Sequence, residues 1–390
     1  MTFNDKKGSL TIAGSGIASI RHITLETLSH IERADKVYYL VADPATEAFI
    51  QDKSKGDYVD LAIYYDKDKN RYESYVQMSE VILNDVRAGY NVLGVFYGHP
   101  GVFVSPSHRT VAIARDEGYR VNMLPGVSAQ DYMFSDIGFD PAIPGCTIQE
   151  ASTILFLDKR LDPTVHNIIG QVGCVGVGTM AFDNRQFHLL VDHLEKDFGP
   201  EHKVVHYIGA VLPQSATVKD EFKIADLRKD DVVKQISTIS TFYIPPRQVT
   251  PVPKEVAEKL GFHPLPTLPI STRIYPFLGS KASSSSTSFY EPFERNAVDR
   301  LQNHLPPLDY NTLRASPAVR QFMTDLALRP DVLNLYQADP MVLVDEIPGL
   351  TPSEKSALRS GDPGPVYELM RSNFTREKST QMGAIVFVSI

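Results

Sequence analysis

Cysteine, long apolar runs and excess basic charge are all scarce in this sequence, and each shortage excludes a class of protein. The 390 residues include only two cysteines, Cys146 and Cys174, so we expect a reducing, cytoplasmic location and no disulfide framework. No apolar stretch approaches the roughly 20 residues that cross a bilayer, and the N-terminus lacks the order of a secretory signal. The formal net charge of −8 argues against an extended nucleic-acid surface.

Several catalytic signatures are missing as well. The histidines show no metal-like spacing and there is no Cys-x-x-Cys, so no metal site is predicted. The nucleophile-elbow pattern Gly-x-Ser-x-Gly is absent, and Gly14-Ser15-Gly16 is not followed by the Gly-Lys-Ser/Thr of a P-loop. The same turn lacks the third glycine of a dinucleotide fingerprint, because position 19 is serine. Metal-dependent hydrolysis, triad chemistry, NTP hydrolysis and NAD binding are therefore disfavoured.

Strands and helices alternate along the first half of the chain. Apolar, β-branched runs predict buried strands at 9–16, 36–41, the start of 91–106, and 119–128, with helices between them. This alternation predicts a parallel sheet with right-handed crossovers. A second unit from about Gly145 has predicted strands at 153–157, 175–178, 203–211 and 239–244 and a helix at 186–198, which favours a mixed sheet.

Two glycine-proline loops follow strands of the predicted parallel sheet. They are Gly98-His99-Pro100-Gly101 and the Pro-Gly turn within 124–128. In open α/β sheets, ligands bind beyond the carboxyl ends of the strands, and glycine lets a flat cofactor lie against the backbone. The first loop alone is equally compatible with a tight strand-to-helix turn that binds nothing.

The composition changes after Pro245. Prolines recur through Pro269 and residues 283–286 are serines, which is typical of a linker. Helices are then predicted at 294–304, 316–328, 330–337, 339–345, 352–358 and 363–370, several of them beginning with Ser, Asp or Pro. Such a small helical region is expected to dock on another surface, its own or that of a partner subunit.

The chain ends with an apolar segment, 382–390, after a polar stretch. Its β-branched residues would aggregate unless something holds them. The pattern alone favours a terminal strand that completes a sheet. The alternative is that the tail is a ligand for the protein's own pocket.

Four tyrosines surround one arginine near the start of a predicted helix. Tyr72 and Tyr75 are three residues apart and would share one face of a helix, with Asp68 or Arg71 nearby, and Tyr64 and Tyr65 precede them. This cluster is compatible with a plain surface or interface. It is also compatible with catalysis, because an adjacent arginine stabilises a phenolate that can act as a base at neutral pH.

Residues 9–250 resemble the tetrapyrrole methylase superfamily, the class III S-adenosylmethionine-dependent methyltransferases. The shared marks are the turn at 14–16, the loops at 98–101 and 124–128, and the segment 240–245, with His99 where many members have aspartate. Nearly the whole chain resembles the fungal borosin precursors more closely, through residues 43–50, 94–103 and 240–246 and the apolar tail. These precursors fuse a peptide α-N-methyltransferase to its own substrate peptide.

The resemblance implies the fold and the domains. We expect an α/β class III methyltransferase at 1–250, with subdomains at about 1–144 and 145–250, a proline-rich linker and helical clasp at 251–378, and a substrate peptide at 379–390. It also implies a homodimer with interlocked clasps, each tail entering the partner's active site, and a downstream peptidase or macrocyclase. No nucleic acid or membrane partner is expected. The candidate methylated residues are Ile385, Val386, Phe387, Val388, Ser389 and Ile390.

The resemblance assigns roles position by position. Arg71 and Tyr75 match the family's catalytic pair, Tyr65 matches a second pocket tyrosine, and Tyr97 matches one that borders both cofactor and peptide. The positions that match the S-adenosylmethionine pocket are Tyr97, His99, Val102, Ala129, Gln171, Gly209, Ser240 and Thr241. One departure concerns position 62, where a typical precursor has tyrosine and this chain has Ala62.

Three other functions stay open on the sequence. A methyltransferase for a free tetrapyrrole or corrinoid shares the loops but does not need the C-terminal extension. An RNA methyltransferase is disfavoured by the charge. A peptide-binding scaffold without catalysis would not consume S-adenosylmethionine.

Overall fold

The computed structural model describes residues 8–142, 144–180, 183–248, 253–260, 292–305 and 313–371. The chain divides into two compact units, Met1–Ala282 and Ser283–Ile390. The first unit carries two five-stranded sheets, and the second is described only through its helices. The predicted substrate tail lies outside the described residues.

The first sheet is wholly parallel, as the alternation of strands and helices predicted. Its order is β3-β2-β4-β1-β5, so β4 and β1 are central. The strands are β1 (Ser9–Gly14), β2 (Lys36–Leu40), β3 (Asp57–Asp60), β4 (Asn91–Phe96) and β5 (Arg120–Met123). The helices around them are α1 (Leu25–Arg33), α2 (Pro44–Lys53), α3 (Arg71–Arg87) and α4 (Ser105–Asp116).

Central strands of this sheet are buried along nearly their whole length, which explains their continuous apolar sequence. Val92, Leu93, Val95 and Phe96 of β4 are at most 1% exposed. The edge strand β3 was not predicted, because its sequence Asp-Tyr-Val-Asp is too short and polar to stand out. An edge position tolerates such residues, since one side of the strand faces solvent.

The second sheet is mixed, which confirms the expectation for this part of the chain. Its order is β6-β7-β10-β8-β9, with β6 and β7 parallel and the other pairs antiparallel. The strands are β6 (Cys146–Glu150), β7 (His166–Gly170), β8 (Lys203–Ile208), β9 (Val218–Lys223) and β10 (Thr241–Ile244). A short helix, α5 (Ala129–Met133), follows β5 of the first sheet, and the helices of the second half are α6 (Ala151–Phe156), α7 (Phe187–Phe198), α8 (Asp230–Val233) and, beyond β10, α9 (Lys254–Lys259).

The predicted strand at 153–157 is wrong, because this segment forms α6. The Glu150 carboxylate accepts hydrogen bonds from the backbone N–H groups of Ser152 and Thr153, which starts a helix. Ala151 and Ile154 are then buried one turn apart, whereas Phe156 is 91% exposed. Helical capping and spacing outweigh the β-propensity of this short run.

The predicted strand at 175–178 is also wrong. Its two glycines suit a loop, and Gly176 has a φ of +70°, a conformation outside any strand. The strand that occupies the sheet here is β7, which starts with buried His166 and Asn167. Tyr243 hydrogen-bonds to the His166 side chain and Thr147 to the Asn167 side chain, so the polar groups of both residues are satisfied in the core. Because the strand begins with polar residues, the hydrophobic pattern of the sequence does not identify it.

The second unit contains six α-helices in its described residues. They are α10 (Pro292–Asp299), α11 (Pro317–Leu328), α12 (Pro330–Ala338), α13 (Pro340–Glu346), α14 (Pro352–Arg359) and α15 (Pro363–Met370). Each of the last five has proline in its first turn, and capping side chains such as Ser316 and Thr351 define the starts. A small core centred on Phe322 and Val344 holds α11–α15 together.

Candidate functional site

Three loops at the carboxyl edge of the first sheet meet backbone to backbone. Gly16 and Gly98 exchange hydrogen bonds of 3.1 and 2.9 Å between their N–H and C=O groups. A Cβ atom on Gly14 would lie 2.3 Å from the carbonyl oxygen of Gly98, and one on Gly126 would lie 2.5 Å from the same oxygen. Only glycine fits at positions 14 and 126, and the result is a surface of bare backbone that we call the glycine cradle (Gly14, Gly98 and Gly126).

The loop after β4 is closed by its own side chains. His99 Nδ1 accepts a 2.9 Å hydrogen bond from the backbone N–H of Gly101, so this nitrogen is unprotonated in the described geometry. The backbone N–H of Val102 donates to the His99 carbonyl at 3.0 Å. His99 and Val102, both predicted cofactor residues, therefore belong to one rigid turn beside the glycine cradle.

The predicted cofactor residues of the second half lie along one edge of the second sheet. Gln171 directly follows β7, Gly209 directly follows β8, and Ser240 directly precedes β10. Because Phe242 pairs with Ile169, and Thr241 pairs with Tyr207, the antiparallel register brings these ends together.

Two contacts join this edge to the loops of the first sheet. The Phe103 ring packs on Gly170: a Cβ atom built on Gly170 would lie 3.2 Å from Cε2 of the ring. The Tyr132 ring packs on Gly209, since a Cβ atom built there would lie 3.0 Å from Cδ1 of the ring. The Tyr132 hydroxyl also donates a hydrogen bond to the Ala210 carbonyl at 3.3 Å. The two halves of the predicted cofactor site are therefore in contact, with Ala129 one turn before Tyr132 on α5.

Phe103 and Gln171 have left-handed backbone conformations, with φ of 55° and 58°. This conformation costs an L-residue roughly 1–2 kcal/mol, and such strain clusters at functional sites. Gln171 was predicted from the resemblance. Phe103 was not, because its apolar sequence context indicates only a strand-to-helix loop.

The Ser240 hydroxyl is buried and fixed. It accepts a 2.9 Å hydrogen bond from the Ser237 backbone N–H and bonds to His206 Nε2 at 2.8 Å. Burial lowers the pKa of His206, so its imidazole is neutral at physiological pH. His206 was missed as a site residue because a lone histidine in a β-branched strand gives no signal.

The predicted catalytic tyrosines lie together beside the glycine cradle. The Tyr65 and Tyr75 ring centroids are 6.4 Å apart in an edge-to-face arrangement. Tyr97 follows β4, and its backbone N–H bonds to the Leu40 carbonyl at 2.9 Å. Tyr72, by contrast, is 64% exposed, so the tyrosine that the spacing grouped with Tyr75 faces solvent.

The tyrosine environment favours protonated phenols at two positions. Burial raises the pKa of Tyr65 above its usual range, the neighbouring Tyr75 and Tyr97 add to the rise, and Arg71 opposes it. Burial raises the pKa of Tyr97 too, although 46% of this residue is accessible, because protein atoms crowd around its hydroxyl. Tyr65 and Tyr97 are therefore hydrogen-bond donors at neutral pH.

Arg71 is the first residue of α3, and its guanidinium turns toward the second half of the unit. It donates to the backbone carbonyls of Val177 and Thr179 at 3.0–3.3 Å. Among the described residues no carboxylate forms an ion pair with Arg71, so its charge is not neutralised there. The Cys174 thiol lies beside it; burial raises the pKa of Cys174 and Arg71 opposes the rise.

Position 62 carries a small exposed side chain at the rim of this cluster. Ala62 belongs to the short 3₁₀ segment Leu61–Tyr64, and its backbone N–H bonds to the Asp60 carboxylate at 2.8 Å. The local fold is complete with alanine.

Within the described ranges, no three His, Cys, Asp or Glu side chains come together as possible metal ligands. Their helices likewise include none that is long and apolar enough to cross a membrane. The predicted substrate residues 385–390 cannot be placed relative to the site, because they lie outside the described residues.

Two protein-family models match the chain. The model of the tetrapyrrole (corrin/porphyrin) methylases matches residues 9–219, which include the glycine cradle, Arg71 and the tyrosines. The model of the borosin biosynthesis clasp domain matches residues 289–384, which include α11–α15. Among solved structures, uroporphyrin-III-C-methyltransferase from Thermus thermophilus is similar over 64% of this chain and 99% of its own, with 16% identity and a TM-score of 0.45.

Curated relatives match along almost the full chain. The type I borosin cyclic peptide precursor and methyltransferase of Cerrena unicolor is 61% identical over 367 residues, 94% of this chain and 90% of its own. The corresponding protein of Mycena rosella is 56% identical over 94% of this chain and 90% of its own. The omphalotin A precursor of Omphalotus olearius is 46% identical over 92% of this chain and 86% of its own.

Proposed function

The chain belongs to the fungal borosin precursor methyltransferases, and from that premise we propose that it methylates backbone amide nitrogens of its own C-terminal peptide, with S-adenosylmethionine as the methyl donor. The resemblance predicted from the sequence is thereby confirmed. The observation that carries the proposal is a group of three tyrosines and one arginine beside the glycine cradle. Its members are Arg71, Tyr65, Tyr75 and Tyr97.

The glycine cradle fits a flat cofactor, because side chains are sterically excluded where its three loops meet. The residues that would hold the cofactor are Tyr97, His99, Val102, Ala129, Gln171, Gly209, Ser240 and Thr241. When bound, S-adenosylmethionine supplies an electrophilic sulfonium methyl group and leaves as S-adenosylhomocysteine. No carboxylate or metal is needed for that role.

The protein must activate the amide, since the nitrogen lone pair is delocalised into the carbonyl group. We assign removal or relay of the amide proton to Tyr75, which lies one helical turn after Arg71 on α3. The amide proton passes to the Tyr75 oxygen, and the nitrogen lone pair becomes available to the methyl group. The sulfur–carbon bond of the bound donor would break as the carbon–nitrogen bond forms, and its electron pair would leave with the sulfur. The charge of Arg71 is suited to this task because none of the described carboxylates competes for it.

Tyr65 and Tyr97 serve as donors to the amide oxygen, where negative charge develops. Their raised pKa keeps both phenols protonated at neutral pH, as a donor must be. A single placed donor of this kind is commonly worth about 3–4 kcal/mol of transition-state stabilisation.

The substrate and partner assignments follow from the family. The C-terminal peptide at 379–390 is the substrate, with Ile385–Ile390 as candidate sites, and it enters the active site of a partner subunit in a homodimer. Exposed apolar side chains of the helical unit support such an interface. Leu335, Met341 and Val342 are more than half exposed and are not covered by the small core of this unit. A cytoplasmic peptidase or macrocyclase would then act on the methylated peptide.

The clasp domain argues against the alternative of a free tetrapyrrole or corrinoid substrate, since such a substrate needs neither clasp nor tail. The test compares Arg71→Ala with Tyr72→Phe, a matched control one residue away whose side chain is exposed. We expect Arg71→Ala to abolish S-adenosylmethionine consumption while S-adenosylhomocysteine still binds, and Tyr72→Phe to behave as wild type. Full tail methylation by Arg71→Ala would overturn the catalytic assignment.

A further inference from the structure

We propose that residues 177–179, in the second half of the methylase unit, position Arg71 for catalysis by holding its guanidinium through backbone carbonyl oxygens. We call this segment the arginine clamp. The inference rests on the proposed function, in which Arg71 supplies the positive charge at the active site.

Four hydrogen bonds tie Arg71 to the arginine clamp. Its backbone N–H donates to the Gly178 carbonyl at 2.8 Å. Its Nη2 donates to the carbonyls of Val177 and Thr179 at 3.0 and 3.1 Å, and its Nε donates to Thr179 at 3.3 Å. Asn70 also forms an isolated antiparallel bridge with Thr179, so the clamp is aligned with the start of α3.

The location of Arg71 makes such a clamp necessary. As the first residue of α3, Arg71 lies at the positive end of the helix dipole, where a guanidinium is repelled. A long side chain there would otherwise extend into solvent, with many rotamers available. Contacts of both Nε and Nη2 with Thr179 fix the plane of the guanidinium as well as its position.

The acceptors are carbonyl groups, and this matters for the chemistry. A carboxylate would orient Arg71 equally well but would cancel its charge. Neutral carbonyl groups satisfy two donor groups and leave Arg71 with a net positive charge, which opposes the rise in the pKa of Tyr65 and of Tyr97. The arginine clamp therefore combines positioning with an undiminished electrostatic effect on the reacting amide.

The clamp owes its shape to Gly176. This glycine has a φ of +70°, and its backbone N–H bonds to the Ser152 hydroxyl on α6 at 3.1 Å. A Cβ atom at position 176 would meet nothing closer than Gln186 Cγ at 3.9 Å. Alanine would thus fit sterically but would disfavour the conformation that directs the following carbonyls at Arg71.

Gly176→Ala therefore tests the inference. We expect methyl transfer to slow by about 10- to 100-fold, because a displacement of roughly 1 Å in a catalytic group has effects of that size. Binding of S-adenosylhomocysteine should change by less than about twofold. The loss should appear in kcat, with little change in KM for S-adenosylmethionine, because positioning of Arg71 affects the methyl-transfer step and not cofactor binding.

The matched control is Gly118→Ala, which has the same kind of strain, with φ of +81° and no atom within 4 Å, in the turn between α4 and β5. We expect Gly118→Ala to keep the kcat and KM of wild type. A Gly176→Ala variant that also keeps both, while Arg71→Ala is inactive, would overturn the clamp but not the proposed function. Activity in Arg71→Ala would instead overturn the proposed function on which the clamp rests.

Discussion

Gly126→Ala is the most direct perturbation of the glycine cradle. The added Cβ atom would lie 2.5 Å from the Gly98 carbonyl oxygen and 2.9 Å from the Gly14 Cα atom. Both neighbours are backbone atoms, so no flexible side chain can move aside. The three loops must separate until the closest contact exceeds about 3.0 Å, the shortest distance that Cβ atoms tolerate.

The magnitude follows from this overlap. Overpacking of a close-packed interior typically costs about 1–3 kcal/mol. The same displacement opens the surface on which the cofactor is proposed to lie. We expect S-adenosylhomocysteine to bind about 10- to 100-fold more weakly, which corresponds to roughly 1.4–2.8 kcal/mol.

Isothermal titration calorimetry with S-adenosylhomocysteine, together with thermal unfolding, measures both effects. Gly118→Ala is again the control, since it strains a turn at the opposite edge of the first sheet and should leave binding unchanged. A folded Gly126→Ala variant that binds within about threefold of wild type would refute the idea that the glycine cradle holds the cofactor.

Three further predictions concern donors, pH and a buried carboxylate. Tyr65→Phe should slow methylation by about 10²- to 10³-fold at pH 7 with little change in cofactor affinity, and an unchanged single-turnover rate would contradict its role as a donor. Burial, reinforced by nearby arginines, lowers the pKa of His30 from 6.5 to about 4. Because its folded state then binds fewer protons than its unfolded state, Tm should fall as pH drops from 6.5 toward 4, and should fall less in His30→Gln. The buried Asp197 accepts the Leu161 backbone N–H at 2.9 Å, so Asp197→Ala should lower the free energy of unfolding by about 1–3 kcal/mol; an unchanged urea midpoint would contradict this.

The first sheet could be predicted from the sequence because its central strands are apolar on both faces. The second sheet was harder. Strand β7 begins with His166 and Asn167, whose polar groups find partners only through tertiary contacts, so no local pattern identifies it. The helix α6 was predicted as a strand because its short sequence contains β-branched and apolar residues. The Glu150 side chain, which caps the helix, indicates the correct structure.

The candidate site was predictable where side chains carry the chemistry and not where backbone does. Arg71 and the tyrosines stand out in the sequence, and the structure brings Tyr65 and Tyr75 within 6.4 Å. The arginine clamp is made of carbonyl oxygens, which every residue has, so no motif marks it. Phe103 and His206 were likewise missed, because their roles depend on a backbone angle and a buried partner.

Fragmentation mass spectrometry of the purified full-length chain tests the central claim most directly. After incubation with S-adenosylmethionine, we predict successive methyl increments that localise to backbone amides within residues 383–390, and none in Arg71→Ala. Wild-type protein that binds the cofactor and retains an unmodified tail would contradict self-methylation.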